Sequence, residues 1–383
     1  MGARQPLLLF SVLALAGCTA VPDFEAPDVP MTDATVEGSS FARASIADAF
    51  QFSAFADGDL WPNCWGADDR LYAAHGDGRG FGLDFADIGV NAIDGEPDAL
   101  TGETLAIGDE LGSVWSGDRF TRKPTGMACV HGSIYLAVQD LRLDFNEAPA
   151  ASISRSDDGG VTWEWDETAP MFDGGVFTTV FFLDYGKDYA NAPDDFVYAY
   201  GLDGNWRDSF DDSVPDPEDL YLARVPKDSV QDRASWEFST GQDQWSPDID
   251  DRVAVLHDDR RQHLDVNSEG GGTVGAANLS VISQGSVVYN KPLDRYLYTS
   301  WTELTFEFYE AEHPWGPWRL FLSRDFGPYP WDYDAHGGYG VTIPSKFISA
   351  DGRQLWVQSN VCPCAPAGMS VYDFALRPMT IDP

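Results

Sequence analysis

Positive charge is scarce in this 383-residue chain: 24 Lys and Arg stand against 62 Asp and Glu, for a formal net charge of −38. A surface of that sign repels nucleic acid and anionic polymers, and no Lys/Arg stripe interrupts it. It suits a neutral or cationic ligand. Beyond the first seventeen residues no apolar run approaches the roughly 18 that a spanning helix needs. Helical periodicity is also scarce. So are several familiar catalytic signatures: there is no Ser/His/Asp arrangement with motif context, no His-x-x-x-His zinc helix and no Gly-rich phosphate loop.

What is present begins with an address. Arg4 precedes an apolar run, Leu7 to Ala16, that ends in Leu15-Ala16-Gly17-Cys18. The pattern resembles the bacterial lipobox. It implies that residues 1–17 are a lipoprotein signal peptide, with cleavage before Cys18 and lipid on its thiol. The chain is then expected to be extracytoplasmic and lipid-anchored at the cell envelope, on the outer membrane or periplasmic face. Its N-terminal lipid would be its only membrane contact. Residues 18–45, rich in Pro, Thr, Asp and Glu, read as the lipidated cysteine and a flexible linker. Four cysteines remain: Cys64, Cys129, Cys362 and Cys364. In an oxidising compartment they favour disulfides, with three connectivities open. Cys362 and Cys364 stand too close for an easy mutual bridge, so each is expected to pair elsewhere.

From residue 46 to 383, short runs of Val, Ile, Phe, Tyr and Trp alternate with Gly/Asp/Pro/Asn turns, an all-β signature. One hairpin recurs, its second strand opening at Arg70-Leu71-Tyr72, Ser133-Ile134-Tyr135, Phe196-Val197-Tyr198, Tyr296-Leu297-Tyr298 and Gln354-Leu355-Trp356. The aromatic residues are 63, 63, 100 and 58 positions apart. Five units of that size, one carrying an insertion at about 239–283, predict a five-bladed β-propeller. Ser156-Asp157-Asp158-Gly159-Gly160-Val161-Thr162-Trp163 fits an Asp-box turn between outer strands, with looser versions at Ser323–Gly327 and Ser349–Gly352. Such turns argue fold and not activity.

The first hairpin turns near Ala67 and Asp68, with Asp59 and Asp77 almost equidistant from it, so both carboxylates are expected at its open end. The first strand should be the innermost of its blade, which puts that end at the mouth of the funnel. Two carboxylates on one cleft are what glycoside hydrolysis requires: one protonates the leaving oxygen, the other activates water or attacks the anomeric carbon. Counting five residues past each hairpin aromatic gives Asp77, Asp140, Asp203, Glu303 and Val361. The acids either line the funnel as substrate contacts or mark strand ends, where Asp-Gly turns are common. Such a ring also suits structural Ca²⁺; no other cofactor and no catalytic metal is expected. Trp61, Trp65, Tyr289 and Trp301 are stacking platforms or core. His75, two residues before Asp77, is a substrate contact on the same strand face or an incidental histidine. Lys123 and Lys346 open inner strands, where they would bind hydroxyls or neutralise the carboxylates.

Several segments together resemble the DUF4185 family of secreted bacterial propellers. They are Gly58-Asp59-Leu60-Trp61-Pro62 with Ala67-Asp68-Asp69 and Gly76-Asp77-Gly78; Ser154–Gly160; Leu222–Pro226; Glu310-Ala311 with Pro314–Trp318; and Ser349–Gly352. The resemblance spans about 50 to 375. Members include endo-D-arabinofuranases that cut mycobacterial D-arabinan, and their proposed acid/base pair matches Asp59 and Asp77. It therefore implies a hydrolase of a furanoside-containing polysaccharide, D-arabinan foremost; the chain itself is expected to act as a monomer. Asn63-Cys64 and Cys362-Pro363-Cys364 depart from the family pattern. The competing reading is a non-catalytic surface lipoprotein that binds glycan or a partner through the same funnel. A sialidase would need an arginine triad that is not evident here.

Overall fold

The computed structural model describes residues 38–209, 213–262, 279–327, 337–363 and 370–383. The signal peptide, Cys18, most of the linker, Cys364 and residues 263–278 of the insertion lie outside the described residues. Among the described residues strands dominate, and the helical pieces are short 3-10 turns. None is long and apolar enough to cross a membrane.

The strands form five antiparallel blades, the third and fourth joined by a short parallel pairing of Leu183-Asp184 with Val287-Val288. Asp57–Trp65, Leu71–Gly80, Ala86–Asp94 and Thr101–Ile107 pair in that order as the first blade. Phe120–Val130, Ser133–Arg142 and Ala150–Ser156 make the second. Thr179–Asp184, Phe196–Leu202, Asp219–Pro226 and Glu237–Ser239 make the third. Val287–Asn290, Arg295–Trp301, Thr305–Ala311 and Arg319–Asp325 make the fourth. Tyr339–Thr342, Gln354–Asn360, Ala375–Asp382 and, from the other end of the chain, Arg43–Ile46 make the fifth. The five recurring hairpin aromatics each fall on the second strand of a blade, as their spacing predicts. The molecule is a five-bladed β-propeller. It begins slightly inside the stretch assigned to linker, because Arg43 pairs with Asp382 and Ser45 with Thr380.

Apolar side chains fill the seams between blades, where alternation sends every second residue. Tyr72 and Cys64 meet Leu136 between the first and second blades. Tyr135, Phe181 and Tyr298 join the second, third and fourth. Val288 and Leu297 meet Val341 and Leu355 between the fourth and fifth, and Trp61 and Leu71 meet Trp356 and Leu376 where the ring closes. Cys64 and Cys129 form a disulfide across the first seam, tying two inner strands together. Cys362 is also disulfide-bonded. Cys364, whose pairing was expected alongside that of Cys362, lies outside the described residues.

The turn at Ser156–Trp163 satisfies its own polar groups. Asp158 Oδ1 accepts from the amides of Val161 and Thr162 at 3.1 and 2.9 Å, and Ser156 Oγ accepts from the Gly160 amide at 2.9 Å. Hydrogen bonding to Thr162 holds the exposed Asp158 carboxyl down at about 2. Ser349 and Asp351 repeat the device: Ser349 Oγ accepts from Gln354 N at 3.0 Å and Asp351 from Arg353 N at 3.0 Å.

Candidate active site

Asp59 and Asp77 do meet at the open end of the first hairpin. Asp59 pairs with Gly76, so Asp77 lies one residue from the position facing it. The hairpin is irregular there, with register shifts between Asp57 and Asp59 and between Leu60 and Asn63. Leu60 (φ 70°), Trp61 (φ 50°) and Asp77 (φ 43°) occupy the left-handed region, a strained choice for residues with side chains. Gly76 is dictated by packing: a Cβ there would stand 2.6 Å from Asp59 Oδ1 and 3.2 Å from Lys123 Cδ. At Gly78 a Cβ would meet the Asp57 carbonyl oxygen at 2.2 Å. The Gly-Asp-Gly triplet thus allows a carboxyl, an ammonium stem and a second carboxyl to crowd one point.

Lys123 comes from the inner strand of the second blade and is buried. Its Nζ donates to Asp77 Oδ1 at 2.6 Å and to the Asp87 carbonyl at 3.3 Å. Asp59 is only 8% exposed. Tyr339, from the fifth blade, donates its hydroxyl to Asp59 Oδ2 at 2.8 Å. Asp59 Oδ1 is buried with no partner of hydrogen-bond geometry. Burial pushes the Asp59 carboxyl up to about 7; Lys123 opposes that, the Asp77 charge adds to it, and the hydroxyls of Tyr339 and Tyr372 pull it back. Two carboxyls have therefore become unlike. One is buried and protonated near neutrality. The other is half-exposed and ion-paired with Lys123.

Both line a cavity of about 220 Å³. Glu303 and Arg207 face it as well, with Phe145, Trp206, Tyr339 and Tyr372 forming its apolar side and Cys362-Pro363 adjoining. Arg207 Nη1 donates to Glu303 Oε1. Among the described residues no group of three or more His, Cys, Asp or Glu side chains is arranged to hold a metal ion.

Of the other sequence-derived candidates, Glu303 and Lys123 belong to this site and the rest do not. Trp61 is wholly buried, donates to the Gly58 carbonyl at 3.0 Å and packs against Phe374 and His75; it is core. His75 is also fully buried and sits inside the blade, where its Nδ1 lies 2.8 Å from Asn91 Nδ2. The left-handed turn at Asp77 breaks the alternation that would have put both on one face. Burial holds the His75 imidazole down at about 4. Asp140 accepts from the amides of Trp115 and Ser116 at 2.9 and 2.6 Å, fixing its own blade's loop. Asp203 accepts from Phe177 N at 2.7 Å and pairs with Arg252. Lys346 donates to the Asp69 carbonyl, and Tyr289 to Asp294 at 2.8 Å. Both lie at hairpin turns, the opposite end of their blades from the carboxylates. Trp301 is buried against Trp206, and Trp65 bonds Asp69 at 3.1 Å in the first turn.

Asp203 lines a separate, larger trough of about 680 Å³. The acids there are answered: Asp216 and Glu218 by Arg261 at 2.7 and 2.6 Å, Asp219 by His257 at 2.7 Å. None of the polar atoms left buried and unpartnered belongs to its lining. The smaller cavity, by contrast, is lined by Asp59 and Glu303, each with one buried, unpartnered carboxyl oxygen. Sequence reading missed Tyr339, Tyr372, Trp206 and Arg207. Trp206-Arg207 follows Asp203 by three residues, so an aromatic-cation pair just past the strand end was the available signal.

No protein-family model and no curated protein matches the sequence. Among solved structures the chain is similar to a protein from Bacteroides ovatus ATCC 8483, at 10% identity over 92% of this chain and 97% of that one, with a TM-score of 0.50. It is also similar to the GH43_1 enzyme from Xanthomonas citri, at 13% identity over 88% and 90% of the two chains, with a TM-score of 0.50. At such identities what the chains share is the fold.

Proposed function

We propose that the protein is a glycoside hydrolase acting on a furanoside-containing polysaccharide, with D-arabinan as the specific substrate and Asp59 and Asp77 as its catalytic pair. The carrying observation is the buried Asp59 carboxyl, raised to about 7, beside an ion-paired Asp77 in one cavity. Tyr339 occupies Oδ2, so the proton of Asp59 resides on the unpartnered Oδ1. From there it passes to the glycosidic oxygen as the carbon–oxygen bond breaks. Lys123 engages only Oδ1 of Asp77 among the described residues. The Asp77 carboxylate then attacks the anomeric carbon, or takes the proton of the water that does. The balance is one water consumed and two hydroxyls formed. Family membership in DUF4185 is part of the proposal and rests on the motifs. The class is further supported by the Xanthomonas citri neighbour, a GH43_1 enzyme.

The test is reducing-end release from arabinogalactan and a panel of other furanoside polymers. The wild type should release sugar from arabinogalactan, and Asp59→Asn and Asp77→Asn should each lose at least about 100-fold. A silent wild type, or an Asp59→Asn enzyme as fast as wild type, sinks the reading. Extracytoplasmic anchoring through Cys18 completes the proposal; the Cys64–Cys129 disulfide accords with an oxidising compartment. Incorporation of a labelled fatty acid should vanish in Cys18→Ala.

A further inference from the structure

We infer that Glu303 and Arg207 form a hydroxyl-reading wall, which selects a neutral sugar ring with a free hydroxyl as the occupant of the 220 Å³ cavity. The inference shares its cavity with the hydrolase reading and names what decides who enters.

Glu303 is placed rigidly. Its φ is 70°, and its carbonyl accepts from Gly338 N at 2.7 Å, which bridges it to the fifth blade. Arg207 is fixed as well: Nε donates to the Asp208 carbonyl at 2.8 Å and the guanidinium lies 5.8 Å from the Trp301 ring centre. The Arg207 side chain is 4% exposed and that of Glu303 10%. The pair uses only Oε1 of Glu303. Oε2 is buried and has no hydrogen-bond partner. Across the cavity, Asp59 Oδ1 is in the same condition.

Buried polar atoms are normally satisfied, so two unpartnered oxygens lining one cavity define what it lacks. A ligand carboxylate would set an acceptor against Glu303 Oε2 and add negative charge to a cavity already lined by Glu303 and Asp77, so an acidic sugar is disfavoured. A metal ion lacks the necessary cluster among the described residues. Hydroxyl groups fit: they donate to Oε2 and take up the Asp59 proton. Trp206 and Tyr339, with ring centres 6.5 Å apart, offer an apolar surface to the C–H face of a sugar. The volume equals roughly seven waters at ~30 Å³ each, which suits one ring.

The experiment measures binding without turnover. Ligand-observed NMR titrations of the full chain would use the methyl furanosides of D-arabinose and D-galactose, their deoxy analogues, and methyl glucuronide as the acidic probe. We expect a neutral glycoside to bind and the glucuronide to bind at least tenfold more weakly. At least one deoxy analogue of the bound glycoside should also lose tenfold. Glu303→Gln should lose tenfold for the parent glycoside but not for that analogue. Glu303→Asp keeps the charge and shortens the reach, and serves if Glu303→Gln does not fold; in turnover it should raise KM more than it lowers kcat. The inference is overturned if no neutral glycoside binds, if the glucuronide binds equally, or if folded Glu303 variants bind like wild type. Binding through Glu303 without reducing-end release would refute the hydrolase reading alone.

Discussion

Replacing Asp59 with Asn should change how stability depends on pH, and the structure sets the size of the change. Burial raises this carboxyl from the ordinary 3.8 to about 7. The folded protein therefore holds a proton that the unfolded chain releases between those values. The stabilisation tied to that proton is complete below about pH 4 and is lost as pH rises through 7. At about 1.36 kcal/mol per pH unit the full gap corresponds to about 4 kcal/mol. Water entering the cavity lowers this, so a working figure is about 2–4 kcal/mol. At ~2.1 cal/mol/K per residue a fold of this size would shift by about 3–5 °C in Tm. The substituted amide does not titrate and keeps the shape of the carboxyl. Thermal melts of both proteins from pH 4 to pH 9 should show Asp59→Asn gaining on wild type steadily up to about pH 7 and levelling off beyond it. Whatever the variant gains or loses through altered hydrogen bonds is nearly constant with pH and drops out of the comparison. A difference that stays flat above pH 5 would mean that Asp59 titrates like an exposed carboxyl, and the acid assignment would fall with it.

Lys123→Met removes the cation that holds Asp77 and restrains Asp59. The Asp59 carboxyl should rise further, moving the basic limb of the pH–rate profile upward while kcat/KM falls at least about 100-fold; an unmoved limb would show that Lys123 does not act on Asp59. The Cys64–Cys129 bridge spans 65 residues, so its replacement by a pair of Ala should cost about 4 kcal/mol in denaturant titrations on chain-entropy grounds.

The blades were legible because each is a local object: a hairpin whose turn chemistry and alternation lie within a few dozen residues. Asp59 and Asp77 were legible for the same reason, since one hairpin brings them together. Their chemical difference was not. It comes from burial of Asp59, which outweighs both Lys123 and the hydroxyls of Tyr339 and Tyr372 that reach it from roughly three hundred residues downstream. His75 was misplaced because periodicity assumes a regular strand, and Asp77 at φ 43° interrupts it. Asp140 and Asp203 obey the fivefold count yet hold loop amides, showing that a repeated position fixes backbone geometry while each blade uses its side chain differently. Glu303 takes Arg207 on Oε1 and leaves Oε2 buried and unpartnered, an outcome that no count of the repeat would supply.

The pairing of Arg43–Ile46 with Met379–Asp382 has a consequence in time. Its partners are the earliest and the last strands of the fold, so closure is the least local event in the molecule. Four blades can assemble as the chain emerges from synthesis or transport. The fifth must wait for the final residues, and until then Arg43–Ile46 is an orphan strand. Tyr339, whose hydroxyl meets Asp59, belongs to that late stretch of chain, so the burial that raises the Asp59 carboxyl is completed only when the ring shuts. An unfinished chain would carry both carboxylates and no acid.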